Sequence, residues 1–214
     1  ALAGWAKMGF GFVEAGTVTV HPREGNPKPR IWRLGRGQVV NWLGLPGDGI
    51  GPFVQNLKAF QDNPAHEKLR LGVSFASPDG KTDEFKPLAA VCREYVDYMA
   101  INASCPNVEG HGSDYKDAIR DIAGQIDAVK IEAPDIPVMV KISPTADMDA
   151  LGIMARALLD AGAAGFIATN TVPFAQKNLL ENADFQWPQH NGQYVGGYSG
   201  PALLKISTNM IRTL

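Results

Sequence analysis

The chain has 214 residues, with 20 Lys and Arg against 22 Asp and Glu, for a formal net charge of −2 at pH 7. Apolar residues make up 45% and charged residues 20%, the balance of a soluble globular protein with enough chain to bury a core. Near-neutral charge excludes a nucleic-acid binder working through bulk positive charge, and two cysteines, Cys92 and Cys105, are too few for a disulfide scaffold and point to a reducing compartment. The longest apolar run, 151–168, carries Arg156 and Asp160 and falls short of the roughly 18 uninterrupted residues that span a bilayer.

The opening ALAGWAKMGFGF has neither an initiator Met nor a signal-peptide pattern, and it starts as if partway through a helix. STNMIRTL at the other end stops inside another, so both ends are expected to be cuts in a longer chain. Between them, short β-rich runs are expected at 11–20, 71–75, 98–102, 137–142 and 165–169. Apolar residues at helical spacing follow: Phe53, Val54, Leu57 and Phe60, then Leu88, Val91, Cys92 and Tyr95, then Ile119, Ile122, Ile126 and Val129, then Leu151, Met154, Leu158 and Leu159. From the second run onward, strand starts lie 27 to 39 residues apart, the size of a βα repeat. VMVKI and GFIAT are apolar with little alternation, as suits parallel strands covered on both faces. The fold class is α/β.

An open doubly wound sheet and an eight-fold (β/α) TIM barrel compete for this pattern. Thr17 and Thr19, Asn102 and Ser104, Lys141, and Thr169 with Asn170 all stand at or just past predicted strand ends. Polar tips on five strands favour the barrel, because an open sheet gathers its ligand contacts at one switch point. Five βα units cannot close eight, so the expected domain is a single barrel over 1–214, incomplete in this chain and truncated at both ends. The Pro- and Gly-rich stretches 21–30 and 174–200 read as long loops over the strand-end face.

The segment AINASCPNVEG carries the strongest chemical signal. Cys105 follows a strand between Asn102 and Asn107, and a thiol with an ordinary pKa of about 8.5 needs modest electrostatic help to act as base or nucleophile near neutral pH. The competing reading is a buried structural cysteine, which Cys92 fits on its apolar helical stripe. The sequon at Asn102 to Ser104 is discounted at a strand end. Lys141, inside an otherwise apolar strand, must point into a site or pair with a buried acid. Asn170 offers a donor and an acceptor to a planar ring. The glycine runs at 35–37 and 47–51 read as turns and HPREGNPKPR as a solvated basic loop. His21, His66, His111 and His190 read as scattered surface or loop residues without metal-ligand spacing, so no metal site is expected.

Together, MGFGFVEAGTVT, GNPKPRIWRL, NWLG, INASCPNVEG, VMVKISP, GFIATNT and GGYSGPAL resemble the FMN-dependent dihydroorotate dehydrogenase family, in the family's order over almost the whole chain. The resemblance implies a flavin barrel that oxidises dihydroorotate to orotate in pyrimidine biosynthesis. By position it implies flavin contacts from Thr17, Asn102, Lys141, Thr169 and Gly200. It also implies pyrimidine contacts from Asn41, Asn102, Asn107, Asn170 and Thr171. Cys105 falls on the catalytic base that takes the proton from carbon 5 while hydride leaves carbon 6, and Lys141 on the group that stabilises negative charge on the reduced flavin. The family's first strand, with its lysine, and its last two strands, with their phosphate-binding loops, are expected to lie outside these residues.

GFGFVEAGTVT is closer to the membrane-associated, quinone-using branch, whose base is normally serine, whereas Cys105 and Ser74 look like the soluble branch. The acceptor (quinone, fumarate or NAD) and membrane attachment of an otherwise cytoplasmic protein are left open, and a homodimer is admitted. The segment after Gly44 and the stretch FQWPQHNGQY depart from the family pattern. Alternatives are a related FMN-dependent dihydropyrimidine or dihydrouridine oxidoreductase, or a non-catalytic fragment acting as a binding module. A small-molecule partner and no nucleic acid are expected throughout.

Overall fold

The computed structural model describes residues 2–35, 37–103, 115–180 and 185–214. In chain order these form α1 (Leu2–Lys7), β1 (Phe12–Val18), β2 (Ile31–Gly35), β3 (Gln38–Asn41), α2 (Ile50–Gln61), β4 (Arg70–Phe75), α3 (Phe85–Cys92) and β5 (Tyr98–Asn102). There follow α4 (Tyr115–Glu132), β6 (Val138–Ile142), α5 (Met148–Asp160), β7 (Gly165–Ala168), β8 (Val172–Pro173), β9 (Gln189–His190), β10 (Gln193–Tyr194), β11 (Gly197–Ser199) and α6 (Pro201–Thr213).

The main sheet has the order β1-β4-β5-β6-β7, with every pairing parallel. Neighbours in space follow neighbours in the chain, so the order never reverses and there is no switch point. This is the strand progression of a (β/α) barrel. All five strands coincide with the β-rich runs of the sequence, with ends shifted by up to two residues.

Strand alternation sorts the side chains onto two faces. Val73, Phe75, Met99, Ile101, Val138, Val140 and Ile142 point outward, and the helices bury them with Leu88, Cys92, Ile126, Val129, Leu151 and Leu158. α5 begins where the Asp147 carboxylate accepts a hydrogen bond from the Ala150 amide at 2.9 Å, satisfying a donor the helix cannot pair internally. The inward face carries Glu14, Gly16, Gly72, Ser74, Tyr98, Asn102, Met139 and Lys141, a far more polar set.

Cys92 is wholly buried in the helix layer, and burial pushes its thiol up from 9.0 to about 12. A thiol whose folded pKa is raised binds its proton more tightly in the native state. Its contribution is therefore intact below pH 9 and is lost as pH rises toward 12. Three units correspond to a loss on the order of 4 kcal/mol for full ionisation. Denaturant melts of native protein and Cys92→Ala across that range should show the variant losing less stability per pH unit; parallel slopes would contradict this.

A second sheet, antiparallel and ordered β2-β3-β11-β8, stands over the C-terminal ends of the barrel strands. Its core is Val40, Val172, Leu180, Trp187 and Tyr198. Phe185 stacks on Tyr198 at 5.2 Å, and the Trp187 indole donates to the Val195 carbonyl at 2.7 Å. The stretch 174–200, expected as a loop, therefore supplies strands β9 to β11, and β11 lies between β3 and β8. Strands of two to five residues are too short to show a period, and the glycines and prolines around them carry turn signals instead. His190 is likewise no free surface residue: its ring lies 5.0 Å from that of Trp42.

Candidate active site

The barrel strand ends and the antiparallel sheet enclose a cavity of about 490 Å3. Its position is where barrel proteins assemble their sites, and its size suits a small organic ligand.

At Gly16 the backbone adopts φ 109°, and a Cβ would lie 2.7 Å from the Ser74 carbonyl oxygen. Only glycine fits there. Just beyond it the β1–β4 register slips between Gly16 and Val18. Such an irregularity re-aims a side chain, and here Thr17 reaches toward the cavity. Its hydroxyl shares a hydrogen bond with that of Ser74 at 3.1 Å and accepts one from Asn102 Nδ2 at 3.1 Å. Asn102 Oδ1 in turn accepts from Asn170 Nδ2 at 3.4 Å, and Asn170 Oδ1 accepts from the Thr171 amide at 2.8 Å. A continuous polar chain thus crosses the mouth of the barrel from β1 to the residues after β7. Lys141, in register with Asn102, adds an ammonium to the same cavity.

The opposite wall is Asn41 and the segment 43–49. Gly197 on β11 pairs with Asn41, and a Cβ at Gly197 would overlap the Thr171 side chain, so the GGYSG motif lets the antiparallel sheet close onto the strand ends. The basic loop is not simply solvated. Arg23 exchanges backbone hydrogen bonds with Gly47 at 2.8 and 2.9 Å, and its Nε donates to the Gly44 carbonyl at 3.3 Å. Arg30 Nη1 donates to the Glu24 and Asn26 carbonyls at 2.8 and 3.2 Å. The loop thereby braces the divergent turn after Gly44 as a wall of the cavity.

Of the residues nominated from sequence, Thr17, Asn41, Asn102, Lys141, Asn170 and Thr171 line this one cavity. Thr169 and Gly200 do not line it. The Thr169 hydroxyl pairs with that of Ser207 on α6 at 2.9 Å, and Gly200 precedes the first turn of α6. Cys105 and Asn107 lie outside the described residues. Sequence reasoning missed Ser207, a helical serine with no motif, and Glu14, which the alternation of FVEAGTV places inward beside Gly16. Burial raises the Glu14 carboxyl above its ordinary pKa, against the pull of Lys141's charge and a hydrogen bond from Tyr98. Tyr98 is pushed up to about 12 by its own burial and by Glu14.

The family model described as dihydroorotate dehydrogenase matches residues 1–214, the whole chain. The chain belongs to the dihydroorotate dehydrogenase family. Among its relatives, the Delftia acidovorans protein is 33% identical over 98% of this chain and 61% of its own length. The Salinispora arenicola protein is 35% identical over 95% of this chain and 58% of its own. Both are named dihydroorotate dehydrogenase (quinone). The crystal structure of the Eimeria tenella dihydroorotate dehydrogenase in complex with ferulenol superposes with a TM-score of 0.78 at 26% identity, covering 98% of this chain and 61% of that one. The chain spans about three-fifths of the length of these family members. Among the described residues, no helix is long and apolar enough to cross a membrane, and no group of three or more His, Cys, Asp or Glu could hold a metal ion.

Proposed function

We propose that this chain is the central part of an FMN-dependent dihydroorotate dehydrogenase, a single barrel domain continued beyond both ends. The observation that carries the reading is the convergence of the Thr17–Asn102–Asn170 chain and Lys141 on one cavity at the strand ends. The donor set fits FMN. A flavin ring presents carbonyl and nitrogen acceptors along its edge, and this wall offers amide, hydroxyl and ammonium donors. Gly16 and Gly197 line the same cavity, and each lets a neighbouring element close in where a Cβ would collide with Ser74 or Thr171.

Thr17, Asn102 and Lys141 would hold the ring, and the resemblance adds Thr169 and Gly200 as further flavin contacts. Asn41, Asn102, Asn107, Asn170 and Thr171 would fix the pyrimidine in plane, since paired amides read a ring's donors and acceptors in register. Positioning of this kind supplies much of a barrier reduction. The bound flavin supplies a two-electron acceptor for the hydride from carbon 6. Cys105 Sγ would take the proton from carbon 5, and Lys141 would keep a fixed positive charge where negative charge develops. We assign quinone as the final acceptor, in keeping with the names of the relatives.

Full-length protein should be yellow as purified, and anaerobic dihydroorotate should bleach its flavin absorbance. A colourless protein, or a flavin that stays oxidised, sinks the reading.

A further inference from the structure

The stretch FQWPQHNGQY departs from the family pattern, and none of the proposed roles uses it, yet it reaches the wall of the site. Its centre is a small hairpin. Asn191 and Gly192 have φ of 50° and 77°, the positive values of the tight turn that joins antiparallel strands such as β9 and β10. His190 pairs with Gln193 and Gln189 with Tyr194, so the two cross-strand pairs face opposite sides. On one side Tyr194 stacks on Phe174 at 4.1 Å and fixes the hairpin to the segment after β8. On the other, the His190 ring lies 5.0 Å from the Trp42 ring, tilted by 44°. Such a short hairpin is marginal by itself in water, so contacts of this kind hold it in place.

Trp42 stands between Asn41 and Leu43, which both line the site cavity. The chain leaving the hairpin closes on the same step. The Val195 amide donates to the Pro188 carbonyl at 3.1 Å, and the Val195 carbonyl accepts from the Trp187 indole at 2.7 Å. At Gly196 φ is 84°, and a Cβ would lie 2.6 Å from the Asn41 carbonyl oxygen. Gly197 then pairs with Asn41 itself. Asn41 is thus held through its own backbone by β11 and through the neighbouring indole by β9.

We propose that His190 is a positioning residue for the pyrimidine side of the site: its ring, seated on Trp42, holds the Asn41 amide in place for the substrate. The consequence for substrate rests on the flavin reading, but the contact can be followed without any ligand.

In flavin-loaded full-length protein, His190→Ala should weaken orotate binding and raise KM for dihydroorotate by about three- to tenfold, the size of one aromatic pair's contribution. FMN content and the limiting rate of flavin reduction should stay within about twofold of native, since Thr17, Asn102 and Lys141 hold the opposite wall. His190→Phe keeps a ring on the indole and should restore native orotate affinity. Unchanged orotate affinity in the alanine variant overturns the proposal. So does a phenylalanine variant as weak as alanine, or an equal fall in FMN content. In flavin-free protein, hydrogen exchange reads the Trp42 amide, which donates to the Arg30 carbonyl at 2.8 Å. Exchange there should be faster in His190→Ala than in native protein or His190→Phe. Equal exchange in all three also overturns the proposal. A full-length protein that binds no FMN would instead sink the functional reading and leave the exchange result to decide on His190.

Discussion

Asn102→Ala in the full-length protein should weaken FMN and orotate binding together, each by about 10- to 100-fold. Asn102 joins the β1 end to the β7 end, donating to Thr17 and accepting from Asn170. Its removal takes one hydrogen bond from each at once, and each such bond contributes about 0.5–1.5 kcal/mol. Because the proposed flavin and pyrimidine contacts share this residue, the two affinities should fall in step. Asn102→Asp separates the contributions. Its carboxylate still accepts from Asn170 and can accept from the Thr17 hydroxyl, so FMN affinity should suffer less than in the alanine variant. The added negative charge should still repel orotate, itself an anion. Fluorescence titration of FMN and the spectral shift on orotate binding measure both. Affinities within twofold of native in the alanine variant would remove Asn102 from the site.

How far these residues were legible beforehand depends on what kind of signal each carries. The five barrel strands announce themselves because a parallel strand covered on both faces is an apolar run with a sharp polar end, as in VMVKIS. The same sharp ends expose Lys141, Asn102 and Asn170, since a polar residue closing such a run has few structural reasons to be there. The antiparallel sheet had no such signature. Gly197 to Ser199 is three residues long and earns its place through pairing with β3 and β8, a long-range contact that no local window contains. Arg23 and Arg30 looked solvated because their acceptors are backbone carbonyls, which every sequence has and none displays. Glu14 was hidden for a related reason: a single acid in a strand reads as an exposed position until Gly72 and Tyr98, from two other strands, are seen to enclose it. Glycine patterns were read as turns, yet Gly16, Gly72 and Gly197 act by leaving space for a neighbour, and that neighbour comes from elsewhere in the chain.

Cys105→Ala should slow reduction of the flavin by dihydroorotate by about 10²- to 10⁴-fold at neutral pH, the range lost with a general base. Orotate affinity should change by no more than a few-fold. Cys105 lies outside the described residues, so its assignment rests on INASCPN itself. Every other nominated residue fails as a base on chemical grounds. The amides of Asn41, Asn102, Asn107 and Asn170 and the hydroxyls of Thr17, Thr169 and Thr171 do not take up a proton near pH 7, and Lys141 is assigned as a standing cation. Cys105→Ser tests the role more sharply. A serine hydroxyl is far weaker as an acid than a thiol with an ordinary pKa of about 8.5, so the alkaline rise of the reduction rate should move to higher pH while the fold and orotate binding persist. The resemblance places serine at this position in the quinone-using branch, to which the named relatives belong, so the serine variant should retain slow turnover where the alanine variant has almost none. Stopped-flow reduction across pH 6 to 10 distinguishes the three proteins. Rates equal to native in the alanine variant would take Cys105 out of the mechanism. A serine variant no faster than alanine would show that the site is tuned to a thiolate rather than to a general oxygen base.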